Sequence, residues 1–408
     1  MPLRFPAYRL LLAGQTVSSF GSSLTPVALA FAVLELGGSA TELGLVVAAY
    51  AGAEVIALLY GGVLGDRVPR GLLMQGSAAL SALTQALIAV ALIGGWASLP
   101  LLAGVGLVNG CVSALSSPSS QAMTQQTVPA AALPAAISIR RLSANTAMVV
   151  GYGAAGILVA AFGSGWAIAI DAASFLIAAI CFALIRVDPL PSVVRQSVVT
   201  DLKAGAVEIF RHTWLWALIG QALVYHLFYG GAQGVLGPIV VKDEYGEAAW
   251  GWALAVLMVG FIVGGLVTLR FRPTRGLLVG TVCLTLTACF PAALAVDAGL
   301  VLVLAGAFLH GFGLEIFSVN WDLSIQQNVA PDKLARVCSF DRVGSFVARP
   351  LGLAVTGPVG EAVGYSRWLG IVAVVMAGST LLALFIPSIR QLERRRPEPA
   401  LSSQRDAA

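Results

Sequence analysis

The sequence predicts an all-α integral membrane protein of twelve transmembrane helices, arranged as two six-helix bundles related by a parallel pseudo-two-fold repeat. Three observations lead there. Hydrophobic residues make up 58% of the 408-residue chain and charged residues 11%, against roughly half and a quarter in a soluble domain, so lipid has to solvate much of the surface. Apolar runs of about 20 residues, long enough to cross the hydrocarbon core as helices, recur from end to end between Gly, Pro or charge. The two halves of the chain also echo one another.

The runs occupy residues 8–35, 42–65, 72–94, 98–122, 137–162, 165–187, 213–240, 248–270, 276–297, 300–325, 336–362 and 366–388. Several exceed the core thickness, which implies tilt or protrusion. No short apolar region with a small-residue cleavage site precedes the first run, so it is read as a retained helix. The polar interval Asp188 to His212 divides six runs from six. This sets the expected domains as 1–187, a central loop 188–212, a second bundle 213–388 and a disordered tail 389–408, which is basic and rich in Pro and Ser.

Charge settles the expected orientation. Arg4, Arg9, Arg67, Arg70, Arg140, Arg141, Lys203, Arg270, Arg272, Lys333, Arg336 and the arginines of the tail all fall on one side if the runs alternate; the other side keeps Lys242 and Arg367. The positive-inside rule then makes both termini cytoplasmic. The net charge of +4 describes this loop bias, and nucleic acid is not an expected partner. The cysteines, Cys111, Cys181, Cys283, Cys289 and Cys338, stand singly and mostly inside apolar runs, without metal or redox spacing. No metal and no cofactor is expected.

The repeat is read from an ungapped alignment. Gln125-Gln126-Thr127-Val128 lines up with Gln326-Gln327-Asn328-Val329, and at the same offset Leu133 meets Leu334, Ser138 meets Ser339 and Arg141 meets Arg342. Gly151, Gly156 and Gly163 meet Gly352, Gly357 and Gly364. The pairing joins runs four and five to ten and eleven in the same orientation, as a parallel repeat requires. Because small residues let helix backbones approach closely, Gly151, Gly156, Gly352 and Gly357 are expected where the two halves meet.

Between runs two and three, GGVLGDRVPRG concentrates charge beside a proline at Gly61 to Gly71. This stretch resembles the signature loop between the second and third helices of the major facilitator superfamily, with Pro69 where many members have Gly. The resemblance covers essentially the whole chain. GGVLGDRVPRG, IQQNVAPDKLARVCSFDRVGSF and RPLGLAVTGPVGEAVG are similar to a bacterial exporter branch that includes enterobactin and macrolide efflux proteins. It implies that Asp66, with Gly62, Arg67 and Arg70, latches the cytoplasmic start of helix eleven, where Asp341 and Arg342 join it. A carboxylate suits a helix N-terminus, where amides lack partners. Two features depart from the antiporter pattern: helix five lacks the expected proline, and helix four lacks the arginine carried by many drug–proton antiporters.

Ionisable groups at membrane depth point to function. Glu54 lies about 18 Å of helical rise before Asp66 and is the first choice for a proton carrier or a counter-charge. Arg349 is deep on helix eleven, and Glu315 on helix ten reaches a comparable depth; Arg349 is expected to pair with Glu315 or Glu54. Asp171 on helix six reads as a packing residue. Asn109, Asn145, Gln221, Tyr225, His226, Phe317, Asn320 and Trp321 are candidate pocket residues for a bulky amphiphile. The combined reading is a secondary active transporter: proton-coupled export of a small amphiphilic or drug-like molecule by alternating access, with no Gly-Lys-Ser or Gly-Lys-Thr motif to supply ATP energy. The chain is expected to be monomeric in the bilayer of a bacterial cytoplasmic membrane. Uptake of a nutrient or siderophore is the alternative. A non-transporting sensor fits poorly with a short tail, and an enzyme poorly with charges dispersed over separate helices.

Overall fold

The computed structural model describes residues 2–65, 70–186, 205–330 and 333–394, without the side chains of 59–65, 70, 116–122 and 335. Every regular element among them is helical. Counting interrupted helices as one and setting aside the helices of five residues or fewer at Pro2–Arg4, Ala130–Ala132 and Pro387–Gln391, the long helices named below are twelve rods. These are α1 (Pro6–Glu35), α2 (Ala40–Gly65), α3 (Arg70–Ile93), α4 (Leu99–Thr127), α5 (Leu133–Phe162) and α6 (Ser164–Ala183). The second six are α7 (Thr213–Gly231 continuing through a π turn to Gly237–Tyr245), α8 (Glu247–Arg270), α9 (Gly276–Leu284 and Cys289–Ala295), α10 (Leu300–Asn328), α11 (Leu334–Phe346 and Arg349–Val363) and α12 (Tyr365–Ala383). Among the described residues, nine helices are long and apolar enough to cross a membrane by those criteria alone.

The interruptions were not expected, and proline accounts for their positions. Proline has no N–H for the carbonyl four residues earlier, and its ring crowds that carbonyl. Pro350 follows the break in α11 at Val347–Ala348, which places Arg349 at the start of the second segment. In α9, Pro291 follows a 3-10 turn at Thr285–Ala288 and cannot donate to the Thr287 carbonyl. His310 of α10 donates instead, with Nδ1 2.7 Å from that oxygen.

Packing repeats the chain's internal symmetry. In the first half α1 packs on α5 and α6, α2 on α4, and α3 on α4 and α6; in the second, α7 packs on α11 and α12, α8 on α10, and α9 on α10 and α12. Each contact has its mate six rods on. Between the halves the main contacts are α5 with α8 and α2 with α11, which are again symmetry mates.

Glycines set how closely these rods approach, since lipid gives helices little hydrophobic reason to associate and packing decides. Gly156 lies on Ala248, where an added Cβ would come within 2.7 Å of a carbonyl oxygen, and Gly357 lies on Ala40 and Thr41 at 2.5 Å. These two contacts join the halves as expected. Gly151 and Gly352 do not: Gly151 meets Phe20 and Ser23 of α1, and Gly352 meets Leu227 of α7, each inside its own half. The reason is register. Five residues along a helix turn the side chain to another face, so one face serves the bundle and the next serves the partner half.

The closest inter-half approaches lie at the end of the molecule away from the chain termini. Gly251 adds to the Gly156 contact, and Gly44 packs on the Leu353 carbonyl. Glu361 of α11 accepts hydrogen bonds from the Thr41 N–H at 3.0 Å and its hydroxyl at 2.7 Å, so one half caps a helix start in the other.

Candidate functional site

A cavity of about 590 Å³ opens within the first half, walled by α1, α2, α3, α4 and α6, with Arg349 and Leu353 of α11 on its far side. It runs from Met74, about one turn inside α3, and Phe182, the penultimate residue of α6, to Leu29 and Gln85. Its size falls within the range of drug-sized ligand sites.

Three charged side chains line it: Glu54, Asp171 and Arg349. Glu54 of α2 accepts a hydrogen bond from Ser113 Oγ of α4 at 3.2 Å. Asp171 of α6 is fully buried. Its Oδ2 accepts from Thr25 Oγ1 of α1 and from Gln85 Nε2 of α3 at 2.8 Å, while Ser174 Oγ lies 3.3 Å from Oδ1. Three helices thus converge on one carboxylate, and all the polar atoms aimed at it are donors. Asn109 of α4 also lines the wall, 2.8 Å from Thr84 Oγ1. Pro26 of α1 cannot donate to the Ser22 carbonyl, leaving a backbone acceptor without its helical donor at the wall.

The expected pairing of Arg349 with an acid is not seen. Glu315 instead pairs with Arg141 of α5, at 3.1 Å across the halves, and Glu54 engages Ser113. The break in α11 turns Arg349 toward the cavity, and Arg141 reaches Glu315 first. The structure brings Glu54, Asn109 and Arg349 to one cavity and leaves Glu315 outside its wall.

The remaining pocket candidates pack elsewhere. Tyr225 OH lies 2.8 Å from His310 Nε2. His310 Nδ1 faces the Thr287 carbonyl and so donates to it, which leaves the ring held between Tyr225 of α7 and the turn of α9. Tyr229 stacks on the same imidazole at 4.2 Å. Gln221 donates to Thr380 at 3.0 Å. His226 donates from Nδ1 to the Ala222 carbonyl at 2.8 Å, with its ring against Phe346. Phe317 and Trp321 stack in a separate buried cluster, and Asn320 turns back on the Ile316 carbonyl. Asn145 is half-buried on α5, away from the cavity wall. For Gln221, Tyr225, His226, Asn320 and Trp321 a partner inside the protein accounts for the difference: a buried polar group that already has one is held away from a ligand.

Of the gating candidates, Asp66 and Arg67 lie outside the described residues, as does the side chain of Arg70; Gly62 falls near the end of α2. Asp341 accepts from Trp321 Nε1 at 3.1 Å and Ser345 Oγ at 3.2 Å, tying α10 to α11. Arg342 is exposed beside it. Sequence reasoning did not single out Thr25 or Gln85 and took Asp171 as a packing residue, and the structure places all three at the cavity wall. The signal was present, since Asp171 is a carboxylate inside an apolar run, but its helix was discounted as peripheral.

A family model described as the Major Facilitator Superfamily matches residues 11–271. The multidrug efflux pump Tap of Mycolicibacterium fortuitum is 27% identical over 413 residues, covering 96% of this chain and 98% of Tap. Macrolide efflux protein A of Streptococcus pyogenes is 21% identical, covering 93% of this chain and 96% of that protein. A crystal structure of the nucleoside transporter NupG aligns with a TM-score of 0.73 at 14% identity, over 93% of this chain and 97% of NupG, a likeness of fold.

Proposed function

The chain belongs to the Major Facilitator Superfamily, and from that premise we propose that it exports a small amphiphilic, drug-like molecule across a bacterial cytoplasmic membrane in exchange for protons. Both termini face the cytoplasm, and the monomer is the working unit. As a multi-pass membrane transporter it works by alternating access: the two bundles, 1–187 and 213–388, rock about the cavity.

The observation that carries this reading is the cavity itself, a drug-sized space at membrane depth holding two carboxylates. The tight inter-half contacts lie at the opposite end from the termini, which supports a state facing the cytoplasm. Glu54 is the proton carrier. Asp171 already has three hydrogen-bonding side chains about it, whereas Glu54 has a single neighbouring hydroxyl among its described hydrogen bonds, so Glu54 is the carboxylate less occupied by the protein itself. Arg349 supplies the balancing charge from the other half. Asp66 closes the cytoplasmic end with Arg67 and Arg70 in the outward-facing state. Efflux relatives support the export direction.

The test is efflux of a panel of fluorescent and antibiotic compounds from cells expressing the wild type, with and without collapse of the proton gradient. Export of at least one compound that stops when the gradient is collapsed is expected. Inward accumulation of the compounds that are moved would overturn the direction, and export indifferent to the gradient would overturn the coupling.

A further inference from the structure

We propose that Glu361 is the latch of the gate at the end of the molecule away from the termini: its carboxylate, carried near the end of α11, occupies the N-terminus of α2 in the other half, and its release lets the halves part there. This rests on the alternating-access reading above and deepens it by naming a contact that has to break in each cycle.

The start of α2 leaves a place for such a group. A helix begins with amide N–H groups that have no partner in a preceding turn. Ser39 and Glu42 satisfy two of them reciprocally: Ser39 Oγ accepts from the Glu42 N–H at 3.2 Å, and the Glu42 carboxylate accepts from the Ser39 N–H at 2.8 Å. That box omits the Thr41 N–H. Glu361 takes it with Oε1 at 3.0 Å and takes Thr41 Oγ1 with Oε2 at 2.7 Å, so both oxygens of one carboxylate engage one residue of the opposite half. The positive end of the helix dipole favours a negative charge there. Because the Ser39–Glu42 box is complete within the first half, α2 stays capped when Glu361 leaves. The contact can therefore open and close without unwinding a helix.

Its surroundings make it sensitive to the angle between the halves. Gly357, about one turn before Glu361, lies on Ala40 and Thr41, and Gly44 lies on the Leu353 carbonyl. Backbones this close hold the carboxylate at bonding distance only while this end is shut. Both Glu361 bonds are open to solvent, so water replaces them on release and their grip is modest. The repeat-related contact is built otherwise: between α5 and α8, Gly156 meets Ala248 and Gly251 meets the Tyr152 carbonyl, while Glu247 at the α8 start pairs with Lys242 of its own half at 3.0 Å. Charge clasps one side of the seal, and backbone packing closes the other.

The two clasped helices run in opposite senses, with Gly44 beside Leu353 and Gly52 beside Pro350. Asp66, outside the described residues at the far end of α2, is assigned above to the start of α11. Each helix then carries an acid near its C-terminal end for the N-terminus of the other, one at each face of the membrane. A rocking motion satisfies one at a time: Glu361 holds while the cavity opens toward the termini, and Asp66 holds while it opens the other way.

The experiment uses the full chain in liposomes with its five cysteines replaced by alanine, and nitroxides at Leu36→Cys and Ser366→Cys, exposed positions on the two sides of this gate. Pulsed EPR reads their separation. Glu361→Ala is expected to raise the ratio of long to short separations by about threefold or more. Thr41→Val should raise it less, since the N–H remains, and the double variant no more than Glu361→Ala alone. Gly357→Leu, which wedges the same end apart, is the comparison. An unchanged ratio in Glu361→Ala beside a shift in Gly357→Leu overturns the latch and leaves the rocking motion standing; no shift in either overturns both. A lower melting temperature of Glu361→Ala with an unchanged ratio makes the residue a structural cap and overturns the proposal, as does a further rise in the double variant, which removes Thr41 as its partner.

Discussion

The two halves share a helix-packing plan and use its interior differently. In the first, the space among α1, α2, α3, α4 and α6 is a cavity with Glu54 and Asp171 on its walls. In the second, comparable depth is filled by Tyr225, Tyr229, Trp250, Phe290 and His310. One pair of positions makes the contrast sharp, because the repeat that aligns Gln125 with Gln326 also aligns Asn109 with His310. Asn109 reaches Thr84 and faces the cavity; His310 reaches Thr287 and is sealed by aromatic rings. The repeat supplies the scaffold twice, and one copy holds a cavity walled partly by acids where the other is packed with aromatic rings. In the rocking cycle proposed above, most of the cavity wall would move with the first bundle, and Gly234, Arg349 and Leu353 with the second.

The contrast can be broken at several places. The largest effect is expected at the glycines that join the halves. Gly357→Leu drives a side chain into Ala40 and Thr41, and Gly156→Leu drives one into Ala248. Overpacking of about 3 kcal/mol corresponds to roughly a hundredfold loss of the state with that end closed, so transport should fall by about that factor while the protein still assembles. Gly151→Leu and Gly352→Leu act within a bundle and should instead lower yield and melting temperature. Transport assays beside thermal denaturation separate the two pairs.

Next in size is His310→Ala. It removes two hydrogen bonds and a stacked ring from the packed half, and should cost about 3 kcal/mol of stability without changing ligand affinity by more than about twofold. A loss of affinity with no loss of stability would show that the second half holds part of the site. Glu315→Gln tests the Arg141 bridge between halves. Arg141 is largely exposed at 63%, so the pair is worth about 0.5 kcal/mol and transport should change about twofold.

The smallest effect concerns Glu208, ahead of α7, whose carboxyl is held below the usual carboxylate range chiefly by its hydrogen bond from Lys333. A depressed carboxylate contributes stability above its unfolded value and loses it as pH falls through the folded one. Wild type should therefore melt slightly above Glu208→Gln near neutrality, and the gap should close below about pH 4.

Much of this fold was legible because lipid makes a strict demand: a spanning helix has to be long and apolar, and the runs from 8–35 to 366–388 meet it. The repeat was legible at Gly156 and Gly357, where two backbones meet and only glycine leaves room. The breaks in α7, α9 and α11 were harder, because apolar runs look continuous and proline alone does not show whether a helix bends or stops; Pro26 and Pro358 are accommodated within helices, while Pro350 follows a break. Glu54, Asn109 and Arg349, which line the cavity, were legible as polar groups at membrane depth from position and type of residue. Asp171 was visible as a buried acid and discounted, since whether a cavity reaches α6 depends on side-chain packing among five helices. The aromatic and polar groups of the second half lie off the cavity wall for the same reason: sequence shows which residues are polar, and only packing shows which already have partners.

The central claim is that chemistry in the first half drives the cycle through Glu54. The direct measurement compares wild type and Glu54→Gln in proteoliposomes under two regimes, substrate exchange without a gradient and accumulation driven by a pH gradient. The account predicts that Glu54→Gln retains exchange within about threefold and loses gradient-driven accumulation. Accumulation that persists in Glu54→Gln would contradict it and move the coupling proton to another group.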